Sequence, residues 1–428
     1  MLFFYAAMMH RKPTLSTVPD FLHSFAKRFA AHGYRCLLVG GSIRDAVLGF
    51  DVQDFDIATD AHPTDVQGLF RKTIPTGLQH GTVTVLYAGH QIEVTTFRAE
   101  AGYSDGRHPD AVEFGVSLED DLARRDFTIN AMALDLHTGA FIDPFNGLED
   151  LQKRLLRTVG SPSERFREDG LRLLRAVRFS ARLDFRIDEE TRQAMQTARD
   201  ALRGVSAERV RDELLKSLSA RSAAQVVSIL DETGLIGHVF YEDDSAQTIR
   251  YAASERTRHL DLIPPDLPLV RLAALIALCS EGRGVSEAAR IADRLKLSNH
   301  DRGVLTTLLE TGPVSDSQLQ TNRDIRLLLS RCGPGMVQEI SCFSAAIRAD
   351  ASGGLSERME RRLREVLAER PPLTVRELAV DGRALMHELN LSPGPVVGVI
   401  LKELLAFVID DPNRNSYEQL VDKARTIV

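Results

Sequence analysis

Leu37–Thr59 reads LLVGGSIRDAVLGFDVQDFDIAT, and the rest of the chain is organised around it. Leu37-Leu38-Val39 is a short apolar run with strand character. Gly40-Gly41 breaks the run, and Ser42 is placed to N-cap a short helix through Leu48. Gly49 suits the left-handed position just past that helix. A second strand follows, Asp54–Ala58. Side chains alternate along a strand, so Asp54 and Asp56 point the same way, with Cα atoms about 6.5–7 Å apart. Two such carboxylates repel each other unless a cation sits between them. Mg²⁺ is such a cation: it takes one or two carboxylates and completes its shell with water and phosphate oxygens. The glycine turn at the neighbouring strand's end offers backbone N–H groups and a helix N-terminus to those phosphates.

A lone Asp-x-Asp is mostly a pair of solvated carboxylates, and a lone Gly-Gly is mostly a turn. The two together at this spacing, with Arg44-Asp45 on the first helix, are specific. The stretch resembles the head of the nucleotidyltransferase superfamily, in the class II branch that holds tRNA CCA-adding enzymes and bacterial poly(A) polymerases. The resemblance implies that Asp54 and Asp56 are catalytic metal ligands, with Mg²⁺ as cofactor. It also implies that Gly41 and Arg44 cradle the phosphates of a bound nucleotide.

Composition is ordinary for a globular chain: 43% hydrophobic and 26% charged over 428 residues, which is too long for one core. A formal charge of −7 gives no global basic field, so any RNA surface must be a local patch. Basic residues are mostly Arg, which suits phosphates and base edges but fits a codon bias equally well. Cys36, Cys279, Cys332 and Cys342 show no zinc spacing and fit a reduced, cytoplasmic compartment. Met1–Met9 is apolar but too short to span a bilayer. It is expected to be a disordered extension or a mis-assigned start, and no other apolar run predicts a membrane partner.

In chain order, Val18–His32 reads as a helix with Phe21, Leu22, Phe25 and Phe29 in the core, stopped by Gly33. Pro63–Phe70 is a second short helix. Gly81–Tyr87 and Gln91–Phe97 are β-branched runs that read as a hairpin. Gln91, Glu93, Thr95 and Phe97 share one face of the second run, so Glu93 is a candidate third catalytic carboxylate; a strand-edge charge is the plain alternative. Arg98–Phe114 reads as a mobile loop beside the site. Ser117–Asp120 forms a capping box and starts a helix that runs into Arg124-Arg125-Asp126-Phe127-Thr128-Ile129-Asn130. Ala131–Leu136 and Ala140–Asp143 read as the last strands.

Taken alone, the Arg124–Asn130 block is a helix end with surface charges. It matches the second motif of the class II family residue for residue. That match implies that Arg125 holds the triphosphate and that Asp126 and Asn130 contact the ribose.

The third block runs from Arg165 to Phe179, RFREDGLRLLRAVRF. Leu171, Leu174, Val177 and Ala181 mark an apolar helix face, and Asp169 and Arg172 fall one turn apart. The common meaning of such a pair is a surface salt bridge. The sharper one starts from cytosine and adenine, which both present an amino donor beside a ring-nitrogen acceptor. A carboxylate accepts from the first and a guanidinium donates to the second. Guanine and uracil would leave buried groups unpaired, at about 1–3 kcal/mol each. The matching Asp and Arg of the family have this role, and Arg175 and Arg178 are carried over as further nucleotide-site residues. Each i, i+3 step turns back about 60°, so Asp169 and Arg178 should face nearly opposite sides of a continuous helix.

The predicted fold class is α+β: a small α/β nucleotidyltransferase head with a mixed or antiparallel sheet, then a long all-helical neck, body and tail. The expected divisions are 1–17 (extension), 18–146 (head), 147–220 (neck), 221–340 (body) and 341–428 (tail). Leu378–Leu404 again looks like the family's tail, which embraces tRNA. His300-Asp301 lacks the companions of a metal phosphohydrolase, and Ser298 reads as an N-cap. Within the family, Thr76–Val85 and the loop around Tyr103–Pro109 look like the CCA-adding branch. The resemblance therefore implies CTP and ATP as substrates and the acceptor arm and 3′ end of tRNA as partner. A poly(A) polymerase or A-adding enzyme is the alternative, and an inactive RNA-binding protein is the second.

Overall fold

The computed structural model describes residues 12–15, 18–52, 54–101, 111–241, 255–280, 283–348 and 355–427. The expected extension Met1–Met9 and the Tyr103–Pro109 part of the loop lie outside the described residues. The chain forms two compact units. One comprises Met1–Ala220 with Ser228–Ser245, the other Arg221–Val227 with Ala246–Val428.

The first unit opens with α1 (Asp20–Ala30), which buries Leu22, Phe25, Ala26 and Phe29. Phe21 instead stacks on His90, with ring centroids 4.2 Å apart. Then come β1 (Leu37–Val39), α2 (Gly41–Val47), β2 (Phe55–Thr59), α3 (Pro63–Leu69), β3 (Thr73–Gly77), β4 (Thr82–Tyr87) and β5 (His90–Thr96). A small hairpin, β6 (Arg98–Ala101) with β7 (Ala111–Phe114), precedes α4 (Leu118–Ala123), β8 (Ala133–Asp135) and β9 (Phe141–Ile142). The main sheet has the order β3-β4-β5-β2-β1-β8-β9. It is mixed: β2 and β5 run parallel, with Asp56 opposite Glu93, and the other neighbours run antiparallel. The expected hairpin is present, and its turn is Ala88-Gly89 with φ of +51° and +84°. Strand β3 was not foreseen, because Thr73–Gly77 is interrupted by Pro75 and largely exposed.

Ser42 does not cap α2, contrary to its reading. Gly40 is the capping residue, and Ser42 sits inside the helix. Its hydroxyl reaches across instead, donating to the Asp54 carbonyl at 2.8 Å and accepting from the Asp56 N–H at 3.1 Å. The hydroxyl thus ties the glycine turn to the start of β2. The Ser117 capping box is as expected. The helix it starts ends at Ala123, however, and does not run into the second motif. Phe127 is extended and bridges to Thr158, and Thr128–Asn130 forms a single 3₁₀ turn. The packed face of the sheet here holds Leu37, Val39, Ala58, Phe97, Leu118, Leu122, Ala131, Ala133 and Val159.

Beyond β9 the unit is helical: α5 (Gly147–Gln152), α6 (Pro162–Glu168), α7 (Leu171–Leu183), α8 (Glu189–Thr197) and α9 (Ala207–Leu218). The two-residue strands β10 (Leu155–Leu156) and β11 (Arg186–Ile187) pair in parallel. The second unit consists of helices, from Pro268–Cys279 to Tyr417–Arg425, joined by short 3₁₀ turns. Ser298 caps Asn299–Thr311 as expected, and His300 is exposed. The last helices close on Leu385, Ile400, Leu404, Val408 and Leu420. Among the described residues no helix is long and apolar enough to cross a membrane.

Candidate active site

Three of the segments singled out in the sequence meet at one cavity of about 500 Å³ in the first unit. It is lined by Gly40, Gly41 and Arg44 from the glycine turn, and by Asp54 and Asp56 at the start of β2. Arg125, Asp126 and Asn130 line it from the second motif, and Asp169, Arg172, Arg175 and Arg178 from the third. Of the expected site residues, Glu93 alone is absent from that lining. It is exposed beside Asp56 on the neighbouring strand. Among the described residues no three Asp, Glu, His or Cys side chains are grouped closely enough to hold a metal ion.

Gly40 is where the carboxylates meet the second motif. Its φ is +69°, which favours glycine. A Cβ there would lie 3.0 Å from Arg125 Nη1 and 3.3 Å from Asp56 Oδ2. Any side chain would therefore push the guanidinium and the carboxylate apart. Burial raises the Asp56 carboxyl above the usual range. The Arg125 and Arg44 charges pull it down, and Glu93 and Asp54 push it further up.

A buried network lines the adjoining wall. Arg44 Nη1 donates to Asn130 Oδ1 at 2.7 Å, and Asn130 Nδ2 donates to Asp126 Oδ1 at 3.0 Å. Arg175 Nη2 donates to Asp126 Oδ2 at 2.6 Å. Burial pushes the Asp126 carboxyl up. The Arg175 charge and the Asn130 amide outweigh that and bring it to about 2. Phe179 is the hub, with the Arg44, Arg175 and Arg178 guanidinium groups over its ring at 5.0, 5.3 and 4.4 Å. The plain reading of the second motif, a helix end with surface charges, is overturned by the burial of Asp126 and Asn130.

The third motif is not one helix. Helix α6 ends at Glu168, Asp169 is extended at φ −142° and ψ 106°, and α7 begins at Leu171. Gly170 makes the break, and a Cβ on it would fall 2.2 Å from the Ala201 carbonyl oxygen. Asp169 and Arg172 are therefore not neighbours on a continuous helix face, and their side chains do not pair, although the Arg172 N–H donates to the Asp169 carbonyl at 3.0 Å. Asp169 Oδ2 accepts from Arg209 Nη2 at 2.8 Å, and its Oδ1 from the Leu171 N–H at 3.0 Å. Arg172 donates to Glu168, to the Arg165 carbonyl and to the Arg124 carbonyl. The break also removes the expected opposition of Asp169 and Arg178, because Asp169 is off the helix and both line the cavity.

Arg124, Leu171, Phe179, Arg182 and Arg209 line the cavity and were not foreseen. Arg209 comes from α9, forty residues from its partner, and no spacing rule reaches it. Phe179 closes the quoted third block, where the apolar face runs through Leu171, Leu174, Val177 and Ala181 without it. Arg125 Nε and Arg209 Nη1 are buried with no hydrogen-bond partner among the described residues. Buried unpaired guanidinium donors beside acidic groups suit an anionic ligand.

A mixed sheet carrying a glycine turn and paired carboxylates, followed by helices that face them with arginines, defines a nucleotidyltransferase. The Poly A polymerase head domain model matches residues 36–157, and the tRNA nucleotidyltransferase domain 2 model matches residues 356–424. The CCA-adding enzyme of Geobacillus thermodenitrificans is 36% identical over 400 residues, covering 92% of this chain and 95% of that protein. That of Lactobacillus helveticus is 49% identical over 203 residues, covering 47% of this chain and 51% of that protein. The crystal structure of the Bacillus stearothermophilus CCA-adding enzyme in complex with CTP superposes with a TM-score of 0.79 at 33% identity. It covers 95% of this chain and 98% of that one. The Thermotoga maritima CCA-adding enzyme complexed with tRNA shares the fold, with a TM-score of 0.61 at 21% identity. The chain belongs to the CCA-adding enzyme family of class II nucleotidyltransferases.

Proposed function

We propose that this protein transfers CMP and AMP from CTP and ATP to the 3′ end of tRNA, building or repairing its CCA terminus without a nucleic-acid template. The observation that carries the proposal is the single cavity that brings Asp54 and Asp56 together with Asp169 and Arg172. Reactive end and base-selecting end share one nucleotide-sized space.

In this reading Asp54 and Asp56 hold Mg²⁺. The residues fit that ion: both are hard oxygen donors, and Asp56 is a carboxylate crowded by burial and by two further carboxylates. Such an ion supplies Lewis-acid activation of the RNA 3′-hydroxyl and charge compensation at the triphosphate. Glu93, opposite Asp56 on the neighbouring strand, is the candidate third carboxylate beside this pair. Gly40 and Gly41 let the triphosphate approach the backbone, and Arg44 and Arg125 donate to it; the unpaired Nε of Arg125 supports this. Asp126 and Asn130 face the ribose. Asp169 accepts from the exocyclic amine of cytosine or adenine, and Arg172 donates to the ring nitrogen. Arg175 anchors Asp126, and Arg178 braces Phe179 and Glu213.

The division into head (18–146), neck (147–220), body and tail assigns nucleotide chemistry to the first two and tRNA docking to the rest. The four free cysteines fit a cytoplasmic setting. The test is incubation with tRNA lacking CCA, tRNA lacking only the final A, and a generic RNA, each with single nucleotides. Incorporation of two C residues and then one A, confined to tRNA, is expected. No use of CTP would sink the proposal in favour of A-only addition, and long A tails on generic RNA would point to a poly(A) polymerase.

A further inference from the structure

Asp121, on α4, is absent from the cavity lining, yet its carboxylate holds two of the cavity's arginines. Its side chain is 1% exposed. Oδ1 accepts from Arg124 Nη2 at 2.7 Å, from Arg124 Nε at 3.1 Å and from the Arg98 N–H at 3.4 Å. Oδ2 accepts from Arg125 Nη2 at 3.2 Å. Arg124 Nε also donates to the Arg98 carbonyl at 3.1 Å, so the same carboxylate fastens the start of β6. For Arg125 this is the anchoring contact: Nε is unpartnered, and Nη1 points to the Gly40 turn. A guanidinium held at one nitrogen keeps its direction while the others stay open to a ligand.

We infer that Asp121 is a positioning residue that aims Arg125 at the triphosphate of the incoming nucleotide. The inference rests on the proposed placement of the triphosphate against Arg125. Asp121 works on the phosphates and not on the base, so CTP and ATP depend on it equally.

Asp121→Asn separates the two legs of the contact. The amide oxygen stays on the Oδ1 side, where three donors converge, and the NH₂ group replaces the acceptor that Arg125 uses. The experiment measures equilibrium binding of CTP, ATP and CMP to the full-length chain, with KM for each nucleotide and for tRNA. Loss of one charge-assisted hydrogen bond corresponds to about tenfold in affinity. CTP and ATP should therefore weaken by about tenfold, CMP should be unchanged, and KM for tRNA should stay within about twofold. A general loosening of the fold would instead weaken CTP and CMP by the same factor, and that result overturns the inference. Asp121→Glu, which keeps the charge but moves it by one methylene, is the second variant should the amide not fold. The same loss of preference for CTP over CMP is expected from it. Arg125→Ala is the control. If it lowers the CTP preference and neither Asp121 variant does, Asp121 has no positioning role. If Arg125→Ala leaves the preference intact, the phosphate placement fails, and this inference fails with it.

Discussion

Asp56, the proposed metal ligand, carries a cost in stability. Burial and the neighbouring Glu93 and Asp54 charges hold its carboxyl above the usual range, against the pull of Arg125 and Arg44. A raised folded-state value means that the folded protein binds this proton more tightly than the unfolded chain. Once pH exceeds the folded value, the ionised carboxylate costs stability. Asp56→Asn should therefore abolish nucleotide transfer while raising the melting temperature of the metal-free protein. A lower melting temperature at neutral pH would contradict this account of the site. Asp169 makes a different prediction. Without its acceptor, discrimination against uracil and guanine should fall by about 10–100-fold. Single-nucleotide incorporation by Asp169→Ala measures it, and unchanged selectivity would move base selection elsewhere in the cavity.

At the scale of elements, the break between α6 and α7 shapes the cavity proposed to hold the nucleotide. A continuous helix would place Asp169 and Arg178 on opposing sides, whereas the extended Asp169 faces the same space as Arg178. The break depends on Gly170, where α7 meets the Ala201 carbonyl too closely for any side chain. Gly170→Ala must shift backbone against backbone, at a cost of about 2–4 kcal/mol. Denaturant unfolding should show that loss, and rates with CTP and ATP should fall together. If stability were unchanged, the two backbones would not be in the close approach described. The link between the glycine turn and β2 is subtler. The Ser42 hydroxyl spans the Asp54 carbonyl and the Asp56 N–H, so the acidic pair is fixed by a side chain from the neighbouring helix.

At the scale of the whole molecule, a chain of net charge −7 concentrates eight arginines and four aspartates around one cavity. Composition cannot reveal that, because folding gathers the arginines from segments far apart in sequence. The same gathering sets acid stability. Asp126 is held at about 2 by Arg175 and Asn130 against an unfolded value near 3.9. A depressed value contributes stability that is fully present above about pH 4 and is lost as pH falls towards 2, amounting to roughly 2 kcal/mol. Asp126→Asn should be less stable than the parent at pH 7 and should converge with it near pH 2. Chemical denaturation across that range checks it, and parallel pH profiles would show that Asp126 carries no such term.

The local order of the chain determined the glycine turn, the acidic strand, the hairpin, the Ser117 cap and the change from strands to helices beyond about Gly147. Each is set by neighbours within a few residues: apolar period, turn chemistry, a cap. The class II resemblance rests on those same short blocks. Distance in sequence defeated the rest. The arrest of α4 at Ala123, the Gly170 break, the Ser42 crossing and the Arg209–Asp169 and Asp121–Arg125 contacts depend on which backbones pack together. That choice is made by burial across the whole unit, so no window of sequence contains it.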